Sequence, residues 1–227
     1  MSIARQLALA LAVATLLAGC GSGASTENGL TARTPAQIVA AARVAATTAA
    51  TVHVAGSIVD SGKPISVHMD LFSGKGGQGR IVLEEHSIEL AYADKAVYIN
   101  SDAGFYRRFA GAAAAQRLQG RWLKGSAHGE ALGALTALTS LPRLLGSALS
   151  AHGALTRGAD ATIEGHKAVA VTDLARGGTL YVASTGTPYP LEILQRGGGK
   201  LVFSKWNQPV SIEPPAHAIN IKQLEAR

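Results

Sequence analysis

The sequence predicts an α+β fold, in which a large curved antiparallel β-sheet carries helices on its concave side. Apolar residues recur at helical spacing near residues 35–49 and 102–151, whereas residues 51–100 alternate with the period of two that strands require, and candidate strands resume after residue 153. The order is therefore helix, strands, helices, strands. Because short connections favour neighbouring antiparallel strands, this order indicates one curved sheet.

The chain begins with the features of a secretory signal. Arg5 supplies one positive charge, and an apolar run follows from Leu7 to Leu17. A helix needs about 20 apolar residues to span a bilayer, and this run is too short to do so. We therefore expect the first segment, residues 1–19, to be removed from the mature protein.

The signal ends in a sequence that resembles a lipobox. Leu17, Ala18 and Gly19 match the pattern that the lipoprotein signal peptidase reads, and Cys20 follows them. This resemblance implies a covalent diacylglycerol, with or without an N-acyl group, on Cys20. We expect a lipid anchor on the extracytoplasmic face of the cell membrane. The alternative is an ordinary signal peptide that ends in cysteine.

The composition limits which partners the protein can bind and whether it can form disulfides. Cys20 is the only cysteine, so the mature chain forms no internal disulfide. Removal of Arg5 leaves 20 basic against 15 acidic residues. The basic residues are scattered and do not alternate with aromatic ones, which argues against nucleic-acid binding and fits attraction to an anionic membrane surface better.

We expect residues 20–34 to form a lipidated cysteine with a flexible tether, because residues 21–34 are almost free of apolar side chains. Residues 35–227 then form a single domain. Its first helix begins with an N-cap at Thr34, a proline at Pro35 and a glutamine at Gln37, and it ends near residue 49. One face carries most of its apolar residues, whereas two valines lie off that face. The face comprises Ile38, Ala41, Ala42, Ala45 and Ala49; the two valines are Val39 and Val44.

The first strands can be placed in register from the sequence. A turn at residues 61–62 sets Val54 opposite Met69 and His53 opposite Asp70. The same register pairs Gly56 with Val67, Ile58 with Ile65 and Ala55 with His68. Five strands then share one apolar side, which continues through Ile81, Leu83, Ile88, Leu90, Tyr92, Val97 and Ile99.

The rest of the chain returns to helices and then to strands. Phe105 and Phe109 lie four residues apart in the helical region, and a series of leucines extends from residue 132 to residue 149. We predict strands at residues 161–164, 168–172, 179–183, 191–195 and 200–206 and a short one near Ile219.

The sequence gives little support for a nucleotide-binding, metal-binding or catalytic motif. Gly74-Lys75-Gly76-Gly77-Gln78-Gly79 matches a dinucleotide fingerprint, but a predicted strand follows it instead of a helix, so we interpret it as a flexible hairpin turn. The seven histidines show no H-x-x-x-H or H-E-x-x-H spacing, and the sequence contains no G-x-S-x-G. We therefore expect no metal, no cofactor other than the acyl groups on the cysteine, and no enzymatic activity.

Four segments resemble the actinobacterial LppX/LprG-type lipoproteins: residues 51–56, 95–99, 178–183 and 188–193, read as TVHVAG, KAVYI, GTLYVA and PYPLEI. This family is similar to the LolA and LolB carriers. The resemblance implies a curved half-barrel sheet with helices that close its mouth. In some members of the family an apolar cavity holds acylated glycolipids or other lipids.

The resemblance and the one-sided apolar sheet together predict a non-enzymatic lipoprotein that holds a lipid or an acylated glycolipid between sheet and helices. An envelope transport partner of unknown identity would accompany this role. The alternative is a structural or signalling lipoprotein whose packed core binds a protein partner. Candidate cavity-lining residues, each of which could equally be ordinary core, are Val54, Val67, Met69, Leu83, Leu90, Val97, Ile99, Val171, Val182 and Ile193.

Overall fold

A computed structural model of the protein describes residues 26–74, 76–126, 139–140, 145 and 153–225. The helices within these residues are α1 (Pro35–Thr48), α2 (Ala103–Ala110), α3 (Ala112–Leu118) and α4 (Lys222–Glu225). The first strands are β1 (Thr51–Asp60), β2 (Lys63–Phe72), β3 (Gly76–Leu83), β4 (His86–Ala93), β5 (Ala96–Ser101) and β6 (Leu123–Ser126). The others are β7 (Leu155–Arg157), β8 (Ala161–Ile163), β9 (His166–Asp173), β10 (Thr179–Ala183), β11 (Pro190–Leu194), β12 (Lys200–Ser204) and β13 (Ile219–Asn220).

The strands form one open sheet. Its order is β13-β6-β5-β4-β3-β2-β1-β12-β11-β10-β9-β7, and β8 also pairs with β9. The pairing of β13 with β6 is parallel, and the other pairings are antiparallel. The predicted fold class, a large curved antiparallel sheet with helices, is confirmed.

The predicted register of the first hairpin is also confirmed. Val54 lies opposite Met69, and the four other predicted pairs are present as well. Ser61 and Gly62 both have positive φ, as the tight two-residue turns of hairpins require. The register places the apolar residues of β1 to β5 on one face, which we call the inner face.

The glycine-rich stretch differs from its prediction. Of the described residues in this stretch, Ser73 and Gly74 lie in the turn, whereas Gly76 already pairs with Phe72 in the ladder between β2 and β3. Gly79 has a φ of 155°, and a Cβ there would lie 2.0 Å from the carbonyl oxygen of His68. The stretch is therefore glycine-rich partly because neighbouring strands approach closely. A strand and not a helix follows the turn, as the sequence predicts.

Helix α1 begins as predicted. The side-chain oxygen of Gln37 accepts from the Thr34 backbone N–H at 3.0 Å, and the Thr34 hydroxyl accepts from the Gln37 N–H at 3.4 Å. Val39 is buried, so its prediction as a residue off the apolar face is wrong. The helix is rich in alanine, which lets it lie close enough to the sheet to bury this residue too. Val44 remains exposed, as predicted.

The expected tether does not extend to residue 34. The Gly186 N–H donates to the carbonyl of Thr26 at 3.0 Å, and the Asn28 N–H donates to the carbonyl of Ser184 at 3.0 Å. Leu30 is 1% exposed within the core. The boundary at residue 34 is therefore wrong, because a single apolar side chain and a few backbone hydrogen bonds hold residues 26–34 to the sheet.

Two strands were not predicted. Strand β6 follows α3 directly and contains Lys124, Gly125 and Ser126, so it lacks a two-residue apolar alternation. Strand β7 has three residues. The predicted strands of the second half are confirmed, with ends shifted by a few residues. In β11, Leu191 and Glu192 together lie opposite Tyr181, which makes a bulge and turns Leu191 to the outer face of the sheet.

The C-terminal segment crosses the outer face. The Gln78 side chain donates to the carbonyl of Ser211 at 3.1 Å, and the Ile219 N–H donates to the carbonyl of Trp122 at 2.8 Å. A small cluster of Ala91, Ala93, Ala96 and Tyr98 lies beneath it. This segment covers the side of the sheet that faces away from α1, α2 and α3.

Candidate functional site

The inner face of the sheet forms the main apolar surface of the molecule. Helix α1 packs on it beside β7, β9 and β11, and residues of α2 and α3 join the same core. Leu145 also belongs to this core and is 1% exposed. The ten predicted lining residues are carried by β1 to β5 and β9 to β11, so the structure brings them to one face.

Most of the predicted lining residues are fully enclosed. Val54, Met69, Val97 and Val182 are 0% exposed, so no water-sized space contacts their side chains. Val67, Leu90, Ile99 and Val171 are also buried. In this conformation these eight residues are close-packed core. Their role as a cavity lining remains a prediction that requires the packing to open.

The other two predicted residues lie where the inner face becomes accessible. Leu83 and Ile193 are partly exposed, near the ends of β3 and β11. Ile58 pairs with Ile65, which pairs with Leu83. Ile193 pairs with Leu201, which pairs with Gly56, two residues before Ile58 in β1. Phe105 of α2 is partly exposed and packs against the same core. We call this partly exposed apolar set the mouth: Ile58, Ile65, Leu83, Phe105 and Ile193.

Exposure of the inner face changes along β2. In β2, Leu71 and Met69 are 0% exposed and Val67 is 2% exposed, whereas Ile65 is only partly buried. The mouth therefore lies at the end of the strands that carries the hairpin turns at residues 61–62 and 84–85. At the opposite end of β2 the inner face is closed over Leu71 and Met69, although Tyr92 of β4, near that end, is partly exposed.

Charged groups cross one side of the mouth. Glu84, in the turn between β3 and β4, accepts from Lys63 Nζ at 2.6 Å and also from the Arg108 guanidinium of α2. The hydrogen bonds from Lys63 and Arg108, in that order, hold the pKa of the Glu84 carboxyl below its usual value. Both ion pairs are solvent-exposed, and they join α2 to the strand ends.

Asp102 is the N-cap of α2. Its carboxylate accepts from the Phe105 N–H at 2.8 Å and lies 3.0 Å from His86 Nδ1. The backbone hydrogen bond from Phe105 lowers the pKa of Asp102, and the contact with His86 adds to this. The N-cap therefore fixes the first turn of α2, which carries the aromatic residue of the mouth.

Tyr106 ties α2 to the sheet from inside. Its ring is 2% exposed, its hydroxyl accepts from the Ser101 N–H at 3.2 Å, and it donates to the carbonyl of Arg121 at 3.5 Å. Burial raises the pKa of the Tyr106 phenol. The sequence pattern does not indicate that Tyr106 is buried while Phe105 beside it is partly exposed.

Other candidate groups lie away from the inner face. His53 Nδ1 lies 2.7 Å from Asp70 on the outer face, and His68 lines an outer groove of about 630 Å³ together with Glu89 and Trp122. A second outer groove of about 420 Å³ lies beside Trp206, whose ring stacks on Tyr189 with a centroid distance of 4.5 Å. Within the described residues, no group of three His, Cys, Asp or Glu side chains is placed to hold a metal ion.

None of the helices formed by the described residues is both long and apolar enough to span a bilayer. The predicted signal, lipobox and anchor residue Cys20 lie outside the described residues, as do the leucines between residues 132 and 138.

Comparison with known proteins gives similarity at the level of the fold. No family model matches the chain, and no curated protein matches it by sequence. LprF from Mycobacterium bovis is 17% identical, with a TM-score of 0.56 over 80% of this chain and 97% of that one. The Mycobacterium tuberculosis lipoprotein LppX is 17% identical, with a TM-score of 0.51 over 79% of this chain and 98% of that one.

Both solved structures are aligned over nearly their whole length, so the similarity concerns a complete fold and not a shared fragment. The resemblance that four short segments predict is thereby confirmed for the architecture. The chain has the fold of the LppX/LprG-type lipoproteins.

Proposed function

We propose that this protein is a lipid-anchored, non-enzymatic carrier that holds an acyl chain between the inner face and its helices. The observation that carries the proposal is the mouth, where the apolar inner face becomes accessible beside α2. Apolar surface exposed next to a continuous apolar core is a suitable place for an acyl chain to begin to enter.

The sealed part of the inner face limits how the chain would enter. A dry cavity costs about 2.4 kcal/mol per 100 Å³, so a lipid-sized void would remove most of the stability of a domain. A closed conformation without ligand is therefore expected for a carrier. Helices α2 and α3 are short and joined at Gly111, and their movement would admit the chain without breaking the sheet.

The anchor belongs to the same proposal. Lipidation of Cys20 would hold the domain at the extracytoplasmic face of the membrane, and residues 20–25 would serve as the tether, shorter than the sequence predicts. Mass spectrometry of the mature protein from its host tests this directly. A mass that corresponds to diacylglycerol on Cys20 supports the anchor, and an unmodified cysteine contradicts it.

Binding of a dansyl-labelled fatty acid tests the carrier role. We expect saturable fluorescence enhancement with the native chain and about tenfold weaker binding, or 1.4 kcal/mol, for Leu83→Trp, which would fill the mouth. Leu174→Trp is the control, because Leu174 is 62% exposed on a turn outside the inner face. Absence of saturable binding, together with no lipid in native mass spectra of repeated preparations, would contradict the proposal.

The alternative, a packed lipoprotein that binds a protein partner, is favoured by the 0% exposure of the central core residues. Val67→Trp and Leu90→Trp separate the two functions, because both native side chains are at most 2% exposed. A carrier whose helices can move should stay folded and lose acyl binding. A permanently packed core should lose about 1 to 3 kcal/mol of stability.

A further inference from the structure

We propose that the domain rests on its membrane through the outer face of α1, with the mouth directed away from that membrane. This inference rests on the proposed anchor at Cys20. It commits to a lipid bilayer as the occupant of the α1 surface, and it gives the carrier a direction: the mouth meets a lipid donor or acceptor on the far side.

Geometry restricts which end of the sheet lies near the anchor. The backbone hydrogen bonds of Thr26 and Asn28 fix the N-terminal segment to Ser184 and Gly186, and we call residues 26–28 with 184–188 the tether end. Five residues separate Cys20 from Thr26, and the six Cα-to-Cα steps between them span at most about 21 Å even when fully extended. The tether end must therefore stay close to an anchored Cys20.

The mouth lies at the other end of the same strands. Ala183, beside the tether end, pairs with Ala168, while Thr179 at the far end of β10 pairs with Thr172. Leu174 follows on the turn beyond β9. Leu174 lies eight residues after His166, the first residue of β9. At about 3.3 Å per residue, the two are roughly 26 Å apart. Through β11, β12 and β1 the far end of β10 is continuous with Ile58 of the mouth.

Helix α1 adjoins the tether end. Thr187 and Pro188 form an open groove of about 690 Å³ with Ala40, Ala41 and Val44 of the helix. Val44 is 63% exposed. A large exposed apolar side chain beside the attachment point of the anchor would be shielded from water by a bilayer surface.

The chemistry of this helix face fits the surface of an anionic bilayer. The sequence contains no Asp or Glu between Glu27 and Asp60, whereas Arg33 and Arg43 lie exposed within that stretch. Thr47 donates its hydroxyl to the carbonyl of Arg43 at 2.8 Å. Because this hydroxyl already has an acceptor and α1 carries no carboxylate, contact of the helix face with anionic headgroups would carry a small desolvation cost. The exposed carboxylate of the tether end is Glu27, which precedes the helix.

Two exposed residues offer a matched test. The mature chain is coupled through its single thiol, Cys20, to maleimide-bearing vesicles of phosphatidylcholine and phosphatidylglycerol that contain brominated phosphatidylcholine. Tryptophan quenching is then compared between Val44→Trp and Leu174→Trp, whose native side chains are 63% and 62% exposed. Signal from Trp122 and Trp206 is removed by subtracting that of the coupled parent chain. Ala40→Trp is a second reporter on the helix face.

We expect several-fold stronger quenching at Val44→Trp and Ala40→Trp than at Leu174→Trp, and a smaller difference when phosphatidylglycerol is omitted. Equal quenching at all three positions, or stronger quenching at Leu174→Trp, would overturn the proposed orientation. The coupling is chemical and involves no fatty-acid ligand. Failure here is therefore distinguishable from absence of native lipidation and from absence of acyl binding.

Discussion

The sealed part of the inner face and the mouth are built from the same strands but differ in packing. Leu71 and Met69 of β2 have no exposed surface, whereas Ile65 on the same strand and Leu83 beside it are partly exposed. The first pair is fully enclosed in the core, and the second pair lies at the mouth, near α2 and the turn that carries Glu84. The comparison indicates that alternation fixes which face a residue occupies but not how completely that face is covered.

The largest expected effect comes from the same substitution, leucine to alanine, made once in the sealed part and once in the mouth. We expect Leu71→Ala to lower the free energy of unfolding by about 2 to 5 kcal/mol, because it leaves a cavity in close-packed core. Leu83→Ala should cost less than about 2 kcal/mol, because its site is already partly open to solvent. Urea unfolding of both variants measures the difference. Equal losses would show that the mouth is as tightly packed as the sealed part.

A smaller effect is expected where α2 is fixed to the sheet. Tyr106→Phe removes the acceptor of the buried Ser101 N–H and should lower the free energy of unfolding by about 1 to 3 kcal/mol. Urea unfolding gives the value, and the dansyl-labelled fatty acid reports on the mouth in the same protein. A loss below about 0.5 kcal/mol would indicate that another group or water replaces the hydroxyl.

The sequence predicted the features that depend on local rules. The register of β1 and β2 followed from a two-residue turn and from alternation, and a one-residue slip would have turned Val54 and Met69 to the solvent. The capping box of α1 followed from Thr34 and Gln37 in the same way. In both cases the necessary information lies within a few neighbouring residues.

Features that depend on distant contacts were missed. Residues 26–34 look like a linker, but Asn28 binds a loop more than 150 residues away in the chain. Strand β6 lacks alternation and exists because β5 and β13 pair with it. Gly76 and Gly79 resemble a turn because the sequence does not show how closely a neighbouring strand or the Tyr92 ring approaches them.

For the candidate site, the sequence predicted which residues share one face of the sheet but not how their exposure varies. The ten predicted residues share the inner face, yet only Leu83 and Ile193 are partly exposed. Phe105 and Tyr106 were indistinguishable by pattern, although one is half-exposed at the mouth and the other is buried. Cover depends on where a helix lies across a sheet, and periodicity within either element does not determine that.

The smallest predicted effect concerns the N-cap that holds α2 beside the mouth. Asp102→Ala should lower the free energy of unfolding at neutral pH by about 1 kcal/mol, because the Phe105 N–H loses its acceptor. Asp102→Asn keeps an acceptor oxygen and should cost less. Both variants should weaken fatty-acid binding more than their modest loss of stability implies, since the first turn of α2 carries Phe105.

The same residue gives a dependence on pH whose sign is fixed. The folded-state pKa of Asp102 is lowered from 3.8, so its stabilising contribution is present above pH 3.8 and disappears as the pH falls through the lower folded value. Unfolding measured from neutral pH to below 3.8 should show a shallower acid dependence for Asp102→Asn than for the native chain. Parallel curves would mean that Asp102 does not stabilise α2 through its charge, and the difference between mouth and sealed core would then rest on packing alone.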